Sequence, residues 1–197
     1  MKSDIDIDLA DRSVLLPHIE HVNASMRKTL PAKKHASGVY VTEVPYDPRT
    51  DMCSLDYLEC EARGYVKLDL LNVWIYSHVR DENHLVSLMR EPDWTMLRDR
   101  TIVGTLIHLA NYYDLLQRMS EPVNSIPRLA MFLSVIRPGK RHLIDKTWRE
   151  IAETIWLPDD TGYSYKKSHA ISYAHLVAVN MNLVSENPEL GKPISFV

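Results

Sequence analysis

Three carboxylates alternate with apolar residues near the start of the chain, where Ile5 and Ile7 separate Asp4, Asp6 and Asp8. Successive side chains of a strand point to opposite faces, so this spacing predicts a strand with three aspartates on one face and its apolar residues in the core. Carboxylates two positions apart lie about 6.5–7 Å from each other, and two of them can hold one divalent cation or bridge two. The alternative interpretation is a solvated strand face.

Another aspartate lies in the middle of the most apolar run that favours a strand, Tyr65–Val73. Alternation places Asp69 on one face with Lys67 and Leu71. A lone aspartate in such a run is costly to bury unless a cation or a donor compensates it. If the two strands are neighbours, their aspartates form the ligand set for two-metal phosphoryl transfer, with Mg²⁺ or Mn²⁺ as the ion. The alternative is an aspartate bonded to loop amides.

Composition favours an ordinary globular protein. The chain has 197 residues, 45% of them hydrophobic, and a formal net charge of −3, so any contact with nucleic acid must be a local basic patch. Cys53 and Cys60 have no nearby partner in metal-ligand spacing and are expected to be free thiols. No apolar run reaches the length of a membrane span, and we expect a cytoplasmic protein that makes no membrane contact.

The pattern along the chain predicts an α+β fold in two parts. Residues 1–80 are expected to form the α+β core that holds the carboxylates, and 81–197 a helical half packed on it. Within the core, Arg12–Met26 and Ser54–Gly64 are predicted as helices, the second with Ser54 as its N-cap. The helices expected in the second half are 81–90, 101–118, 124–136, 146–156 and 168–184.

Three basic clusters could contact phosphate. Lys34 and His35 lie in a predicted turn before a strand, a geometry that makes anion-binding concavities. Arg137–His142 is the densest basic stretch, although such runs are more often solvated loops. Ser168 is the predicted N-cap of the last long helix, whose free amides and lysines could hold a phosphate. The predicted phosphate- or nucleic-acid-binding residues are Lys34, His35, Arg137, Lys140, Arg141, Lys167, Ser168 and His169.

The order of these segments is similar to that in the C-family replicative DNA polymerases, the bacterial DNA polymerase III α subunits. Ser3–Leu9 resembles their Pro-Asp-x-Asp-x-Asp-Phe signature, and Lys34–Val39 their Lys-His-Ala-Gly-Gly-Val turn. Lys67–Leu71 is similar to their Lys-Phe-Asp-Phe-Leu. Ile136–Gly139 resembles the end of their Tyr-Arg-Pro-Gly stretch, and Lys167–Ala174 resembles their Asn-Lys-Ser-His-Ser-Ala-Ala-Tyr-Ala motif.

The resemblance implies a polymerase β-like nucleotidyltransferase palm followed by a thumb- and fingers-like helical half. Its catalytic carboxylates match Asp4, Asp6 and Asp69, and Asp8 matches a further aspartate of the family. The implied cofactor is Mg²⁺ or Mn²⁺, and the implied partners are primer-template DNA and a deoxynucleoside triphosphate. In that reaction a primer hydroxyl attacks the α-phosphate and pyrophosphate leaves. A much-reduced, phage-type homologue is therefore expected, acting in DNA replication alone or with a second protein that supplies the missing polymerase parts.

Two departures from the family keep other functions open. Far fewer residues separate Asp8 from Lys34 than in the family, and no paired arginines that could clamp a triphosphate occur between Arg137 and Lys167. A carboxylate set without these clamps could bind metal and still fail to polymerise. The alternatives are a catalytically reduced relic that binds DNA, nucleotide or a replication protein, and a two-metal nuclease.

Overall fold

The computed structural model describes residues 4–27, 31–158 and 165–192, with the exception of the side chain of Asp4. It has a mixed α+β fold, which confirms the predicted class. The chain divides into two compact units, the sheet unit Met1–Val79 and the helical unit Arg80–Val197. Among the described residues, no helix is long and apolar enough to cross a membrane.

The sheet unit is built on a six-stranded mixed sheet in the order β1-β6-β3-β2-β5-β4. Strands β1 and β6 are parallel, as are β2 and β5, whereas β3 is antiparallel to both β2 and β6. The strands are β1 (Asp4–Leu9), β2 (Val22–Met26), β3 (Lys33–Tyr40), β4 (Tyr46–Asp47), β5 (Met52–Asp56) and β6 (Lys67–Asn72).

The first strand forms where the sequence predicts it, but its apolar face is not a core. β1 lies at one edge of the sheet, and Ile5 and Ile7 are 51% and 37% exposed. The prediction that these two side chains are buried is therefore wrong. Alternation reports which residues share a face, but it does not report whether other elements cover that face.

The segment Arg12–Met26 is not one interrupted helix, as predicted, but a short helix followed by a strand. Helix α1 (Arg12–Leu15) begins at Asp11 and passes into a 3₁₀ turn, and β2 follows. Both Asn23 and Ser25 are buried in β2. The Ser25 hydroxyl donates to the carbonyls of Cys53 and Leu55, which satisfies it inside the protein. Burial therefore does not alternate along β2 as it would in a half-exposed strand.

Helix α2 (Tyr57–Ala62) is shorter than predicted because β5 takes up the residues before it. Its N-cap is Asp56 and not Ser54, since the Asp56 carboxylate accepts the backbone N–H of Leu58 at 3.0 Å. Gly64 follows the helix with φ 86°, a conformation that favours glycine. A small core under this helix contains Ala24, Tyr40, Cys53 and Cys60.

The helical unit packs around its two longest helices. Residues of α6 and α8, including Leu129, Phe132, Val177 and Met181, lie in one buried cluster. Buried Asn182 donates to the carbonyls of Leu88 and Arg90. The helices are α3 (Glu82–Leu88), α4 (Arg100–Thr105), α5 (Tyr113–Gln117), α6 (Ile126–Val135), α7 (Trp148–Thr154) and α8 (Lys167–Glu186), with 3₁₀ segments at Trp94–Arg98, Pro138–Leu143 and Pro188–Gly191. A further 3₁₀ segment, Trp74–His78, belongs to the sheet unit.

The long helix predicted over 101–118 is broken in the middle. The break contains His108, whose φ of 61° lies in the left-handed region that a helix cannot use. Next to it, the backbone N–H of Ile107 donates to the side-chain oxygen of Asn180 at 2.9 Å. A tertiary hydrogen bond to a buried residue of α8 thus accompanies the break between α4 and α5.

Candidate functional site

The two carboxylate strands run side by side and in the same direction. Asp6 is the register partner of Asp69, and Asp4 is the partner of Lys67. Register partners of a parallel pair point to the same face, and neighbouring strands lie about 4.8 Å apart. The prediction that these strands are neighbours is confirmed, and pairing puts Asp6 beside Asp69. We call the face that carries Asp4, Asp6, Asp8 and Asp69 the carboxylate face.

Burial differs strongly along the carboxylate face. Asp69 is 8% exposed, Asp6 is exposed and Asp8 is half-buried. Burial raises the pKa of Asp8, and the nearby charge of Asp6 adds to the effect. The pKa of Tyr76 is also raised, first by burial and then by the charge of Asp8. Negative charge on this face is therefore under repulsion that a cation would relieve.

Asp69 has an internal cation as its partner. The ammonium of Lys67 donates to one oxygen of the Asp69 carboxylate, and the side chains are only 13% and 11% exposed. Burial alone raises the pKa of Asp69, but the hydrogen bonds from Lys67 and Ser37 and the charge of Lys67 outweigh it, so the pKa lies below its ordinary value. Asp69 is thus held ionised by its own neighbours.

A bulge in β3 brings two more side chains to Asp69. Ser25 pairs with Lys34 and Asn23 with Val39, so two steps along β2 correspond to five along β3. The structure therefore has a strand with a large bulge in place of the predicted turn at Lys34. A bulge changes the direction in which the side chains of a strand point. From the bulge, the Ser37 hydroxyl donates to Asp69 at 2.7 Å. Lys34 itself is exposed.

His35 is positioned beside Asp69 as a neutral ring. Its Nδ1 accepts the backbone N–H of Gly38 at 2.9 Å, so the 3.7 Å contact from Nδ1 to the Asp69 carboxylate is not a donated hydrogen bond. Burial lowers the pKa of His35, and the charge of Lys67 lowers it further. The ring also packs edge-on against Tyr57, with 5.0 Å between centroids. His35 therefore offers an uncharged ring and no fixed cation.

Gly38 is required by this packing. It is the register partner of Asp69 on β3. A Cβ at this position would lie 2.7 Å from Cδ of Lys67, 3.0 Å from Nδ1 of His35 and 3.1 Å from Cβ of Ala24. Because Gly38 has no side chain, the Lys67 side chain can lie over it and reach Asp69.

Arg12 ties the end of β1 to the bulge. Its backbone N–H donates to the Asn72 side chain at 2.8 Å, and its guanidinium donates to the carbonyl of Ala36 at 2.6 Å. The guanidinium is near enough to His35 to lower the pKa of the imidazole. Arg12 thus supports the bulge that carries Ser37.

The donor set of the carboxylate face fits a hard divalent cation only in part. Carboxylate oxygens are the ligands that Mg²⁺ and Mn²⁺ prefer, and Asp6 and Asp69 supply them from adjacent strands. Within residues 4–27, 31–158 and 165–192, however, no three His, Cys, Asp or Glu side chains are grouped to hold a metal ion, and the Asp4 side chain lies outside that description. An ion at Asp69 would also have to exchange with the ammonium of Lys67.

In the helical unit, Arg137 and His169 belong to one aromatic cluster. The Arg137 guanidinium lies 4.4 Å from the ring centroid of Tyr165, and that ring is stacked with Tyr173 at 6.4 Å. Tyr173 also lies 6.3 Å from His169 and 4.5 Å from His108. We call these five residues the aromatic cluster. Cations on aromatic faces and stacked rings are typical of surfaces that bind nucleic-acid bases.

The aromatic cluster contains a buried donor that lacks an acceptor among the described residues, whereas Asp69 has its partners within the fold. The Nε of Arg137 is buried and has no hydrogen-bond acceptor within the described part of the chain. Burial lowers the pKa of His108, and the positive charge of Arg137 lowers it further. A buried donor without an acceptor gains from an anionic or carbonyl oxygen brought by a ligand.

The remaining basic residues of Arg137–His142 have structural contacts. Lys140 is 9% exposed, and its ammonium donates to the carbonyls of Thr154, the last residue of α7, at 3.4 Å and of Leu157 at 2.8 Å. The Lys140 ammonium therefore already has two backbone acceptors, and its binding of phosphate stays a prediction. Arg141 is exposed, with its Nε donating to the carbonyl of Ile136.

The start of α8 differs from the predicted cap. The N-cap is Lys166, which forms no side-chain cap hydrogen bond, and Ser168 lies inside the helix with its carbonyl accepting the Ser172 hydroxyl. Ser168 as the N-cap is therefore wrong. Lys167 is exposed, with its ammonium 5.8 Å from the ring centroid of Trp156.

The predicted site left out several residues that the structure places in it. Lys67 carried a signal, since alternation puts it on the face of Asp69. No local sequence pattern indicates the positions of Ser37 and His108, because the bulge in β3 and the break between α4 and α5 both depend on tertiary pairing. No local pattern predicts the contact of Arg12 with Ala36, because the two residues lie in different elements.

Comparison with known proteins leaves the family unassigned. No protein-family model matches the chain, and neither a curated protein nor a solved structure matches it significantly.

Proposed function

We propose that this chain is a metal-dependent nucleotidyltransferase acting on DNA, with a reduced palm like that of C-family replicative polymerases. One observation carries the proposal: the parallel register sets Asp6 beside Asp69, with Asp4 two positions earlier on the same strand. A phosphoryl-transfer site needs carboxylates from neighbouring strands on one face. The order of the motifs described above supports assignment to the class of DNA polymerases. The chain would act in DNA replication in the cytoplasm, which is the cytoplasm of the host if the chain is phage-encoded.

In this function Asp4, Asp6 and Asp69 would hold Mg²⁺ or Mn²⁺, with Asp8 assisting. The bound ion would supply activation of the primer hydroxyl and neutralisation of phosphate charge. The low pKa of Asp69 keeps a ligand oxygen ionised at neutral pH. Lys67, once released from Asp69, would be an ammonium within reach of an incoming phosphate.

The helical unit would contribute contacts to DNA or to the deoxynucleoside triphosphate. The unsatisfied Nε of Arg137 and the stacked rings of Tyr165 and Tyr173 support this role. Exposed Lys167 and half-buried His169 extend the same surface along the first turn of α8. A second protein could supply the triphosphate clamp that the chain lacks.

The ion pair between Lys67 and Asp69 favours a second candidate. An aspartate already neutralised by a lysine is stable without metal, as expected for a relic that binds DNA, nucleotide or a replication protein without catalysis. The two candidates differ in whether a divalent ion displaces Lys67.

The deciding experiment incubates the full chain with an end-labelled primer-template, deoxynucleoside triphosphates and Mg²⁺ or Mn²⁺. We expect extension that falls more than about 100-fold in Asp69→Asn, because the ligand set is broken. Asp145→Asn is the matched control, since its carboxylate is 72% exposed and pairs with exposed Arg118.

Other outcomes identify the alternatives. Shortening of the DNA with metal alone, lost in Asp69→Asn, indicates a two-metal nuclease. If the DNA is unchanged, calorimetric titration of Mn²⁺ into the wild type and an Asp4→Asn/Asp69→Asn variant decides between an inactive metal site and a relic. Equal heats from both proteins would overturn the metal site.

A further inference from the structure

The sheet unit contains a pair of thiols in direct contact. The sulfurs of Cys53 on β5 and Cys60 on α2 are 3.5 Å apart, and both residues are 0% exposed. Neither is joined in a disulfide. The pair lies in the small core under α2, next to Ala24 and Tyr40.

Two sulfurs at this separation need only a small movement to bond. A disulfide has a sulfur–sulfur distance of about 2.05 Å, so the approach required is about 1.5 Å. Cys53 lies in a strand and Cys60 in a helix of six residues, an element short enough to open locally. The helix side is therefore where the movement would occur.

We propose that Cys53 and Cys60 are a redox modification site, at which a small peroxide joins β5 to α2 through an intramolecular disulfide. In the first step one thiolate sulfur attacks a peroxide oxygen, the O–O bond breaks, and a sulfenic acid and hydroxide result. In the second step the other thiolate attacks the sulfenic sulfur, the S–O bond breaks, and hydroxide leaves. The two thiol protons convert both hydroxides to water, so two thiols and one hydrogen peroxide give one disulfide and two waters.

The environment of the pair makes this oxidation slow at neutral pH and faster in alkali. Burial raises the pKa of Cys60 to about 11, so little of its thiolate exists at pH 7. A slow, reversible reaction suits a site that responds to sustained oxidative conditions and ignores brief ones. The direct sulfur contact favours pairing over further oxidation, because a sulfenic acid formed on one sulfur already lies against the second thiol.

The disulfide has a route to the carboxylate face through the first turn of α2. Tyr57 begins the helix three residues before Cys60, and its ring packs on His35 with 5.0 Å between centroids. The ammonium of Lys67 lies 6.0 Å from the centre of the same ring. Restraining α2 therefore restrains the residue that lies against both His35 and Lys67.

The test treats the full chain with hydrogen peroxide under native conditions, blocks the remaining thiols with maleimide after unfolding, and measures mass. The expected product has lost two hydrogens, carries no maleimide, yields one peptide pair joining Cys53 to Cys60, and returns to the thiol form with dithiothreitol. Far-ultraviolet circular dichroism before unfolding confirms that the treated protein is folded. The rate should rise between pH 7 and pH 9.

A chain unfolded in urea gives the reference rate of oxidation. Unreacted thiols in the folded protein, a sulfinic acid in place of the disulfide, or a disulfide formed only between chains would each overturn the proposal. So would a disulfide that appears only when circular dichroism shows unfolding. The outcome depends on thiol chemistry alone, so it is separate from the success or failure of the proposed transferase.

The route to the carboxylate face has its own readout. The imidazole resonances of His35, assigned by comparison with His35→Gln, should shift on oxidation of the wild type and stay unchanged in Cys60→Ala treated in the same way. If Cys60→Ala does not fold, Cys53→Ala serves the same purpose, and the oxidised and re-reduced wild type gives the comparison without any variant. A disulfide that leaves the His35 resonances in place would overturn the connection through Tyr57.

Discussion

Asp69 in the sheet unit and Arg137 in the helical unit are both charged side chains partly withdrawn from water, but their partners differ. Asp69 accepts from Lys67 and Ser37, so its charge is compensated within the fold. Arg137 lies on the ring of Tyr165 with a buried Nε that has no acceptor in the described part of the chain. A compensated charge must exchange a partner to bind a ligand, whereas an uncompensated donor gains a partner.

This difference separates selectivity from affinity. At Asp69 a divalent ion competes with an ammonium that is already in place, so only a strongly charged ligand can enter. At Arg137 any suitably placed oxygen improves on the free state. For the proposed transferase, we therefore expect substitutions on the carboxylate face to change catalysis and substitutions in the aromatic cluster to change the affinity for nucleic acid.

The largest expected effect is a loss of stability when Lys67 loses the negative charge of Asp69. Asp69→Asn should lower the free energy of unfolding by about 2 kcal/mol, because it leaves the largely buried Lys67 ammonium without its counter-charge. Asp6→Asn should change it by less than about 0.5 kcal/mol, because Asp6 is exposed. Urea denaturation at pH 7 measures both. Equal losses would show that Lys67 does not distinguish the two carboxylates.

A smaller loss of stability is expected at Gly38, where the lack of a side chain leaves room for Lys67. Gly38→Ala should destabilise the protein by about 1–2 kcal/mol, because the added methyl group meets Lys67, His35 and Ala24 at once. Gly104→Ala is the matched control, since a Cβ there has nothing within 4 Å and alanine favours its helix. Thermal unfolding compares the two. An unchanged melting temperature for Gly38→Ala would mean that Lys67 can take another path to Asp69.

The smallest effect concerns the uncompensated donor. Arg137→Met should weaken binding of a single-stranded oligonucleotide about threefold to fivefold and reduce the salt dependence by about one phosphate contact. Arg149→Met removes the same charge from a side chain that is 92% exposed on α7. Fluorescence anisotropy at several salt concentrations measures both. If Arg149→Met weakens binding as much, net charge explains the binding and the aromatic cluster does not.

The sequence predicts the carboxylate face better than it predicts what surrounds that face. Period-two alternation is a local pattern, so it identifies β1 and β6 and the side of each strand that carries aspartate. Alternation does not predict that β1 and β6 pair, or in which register they pair. Only the resemblance to the polymerase motifs led us to expect these two strands as neighbours. Ser37 reaches Asp69 only because β3 bulges against β2. β2 lies in the segment predicted as helix, although Val22, Ala24 and Met26 alternate with polar residues as in a strand.

The helical unit shows the same limit on a larger scale. The helix predicted over 124–136 agrees closely with α6, which is strongly apolar and has Ser125 as its N-cap. The helix predicted over 101–118 fails because the backbone at Ile107 bonds to Asn180, more than seventy residues away. The sequence indicates that Lys140 is a surface cation, yet its ammonium donates to carbonyls at the C-terminal end of α7. Local patterns identify elements, and distant hydrogen bonds decide where they break.

The position of β1 at the edge of the sheet has a consequence for solubility. An edge strand presents unpaired backbone groups, and with exposed Ile5 and Ile7 it would be a template for pairing with another chain. Three aspartates on so short a strand make such pairing repulsive. The charges proposed to bind metal therefore also keep copies of the protein apart, so neutralising several of them at once removes a safeguard against aggregation together with the ligands.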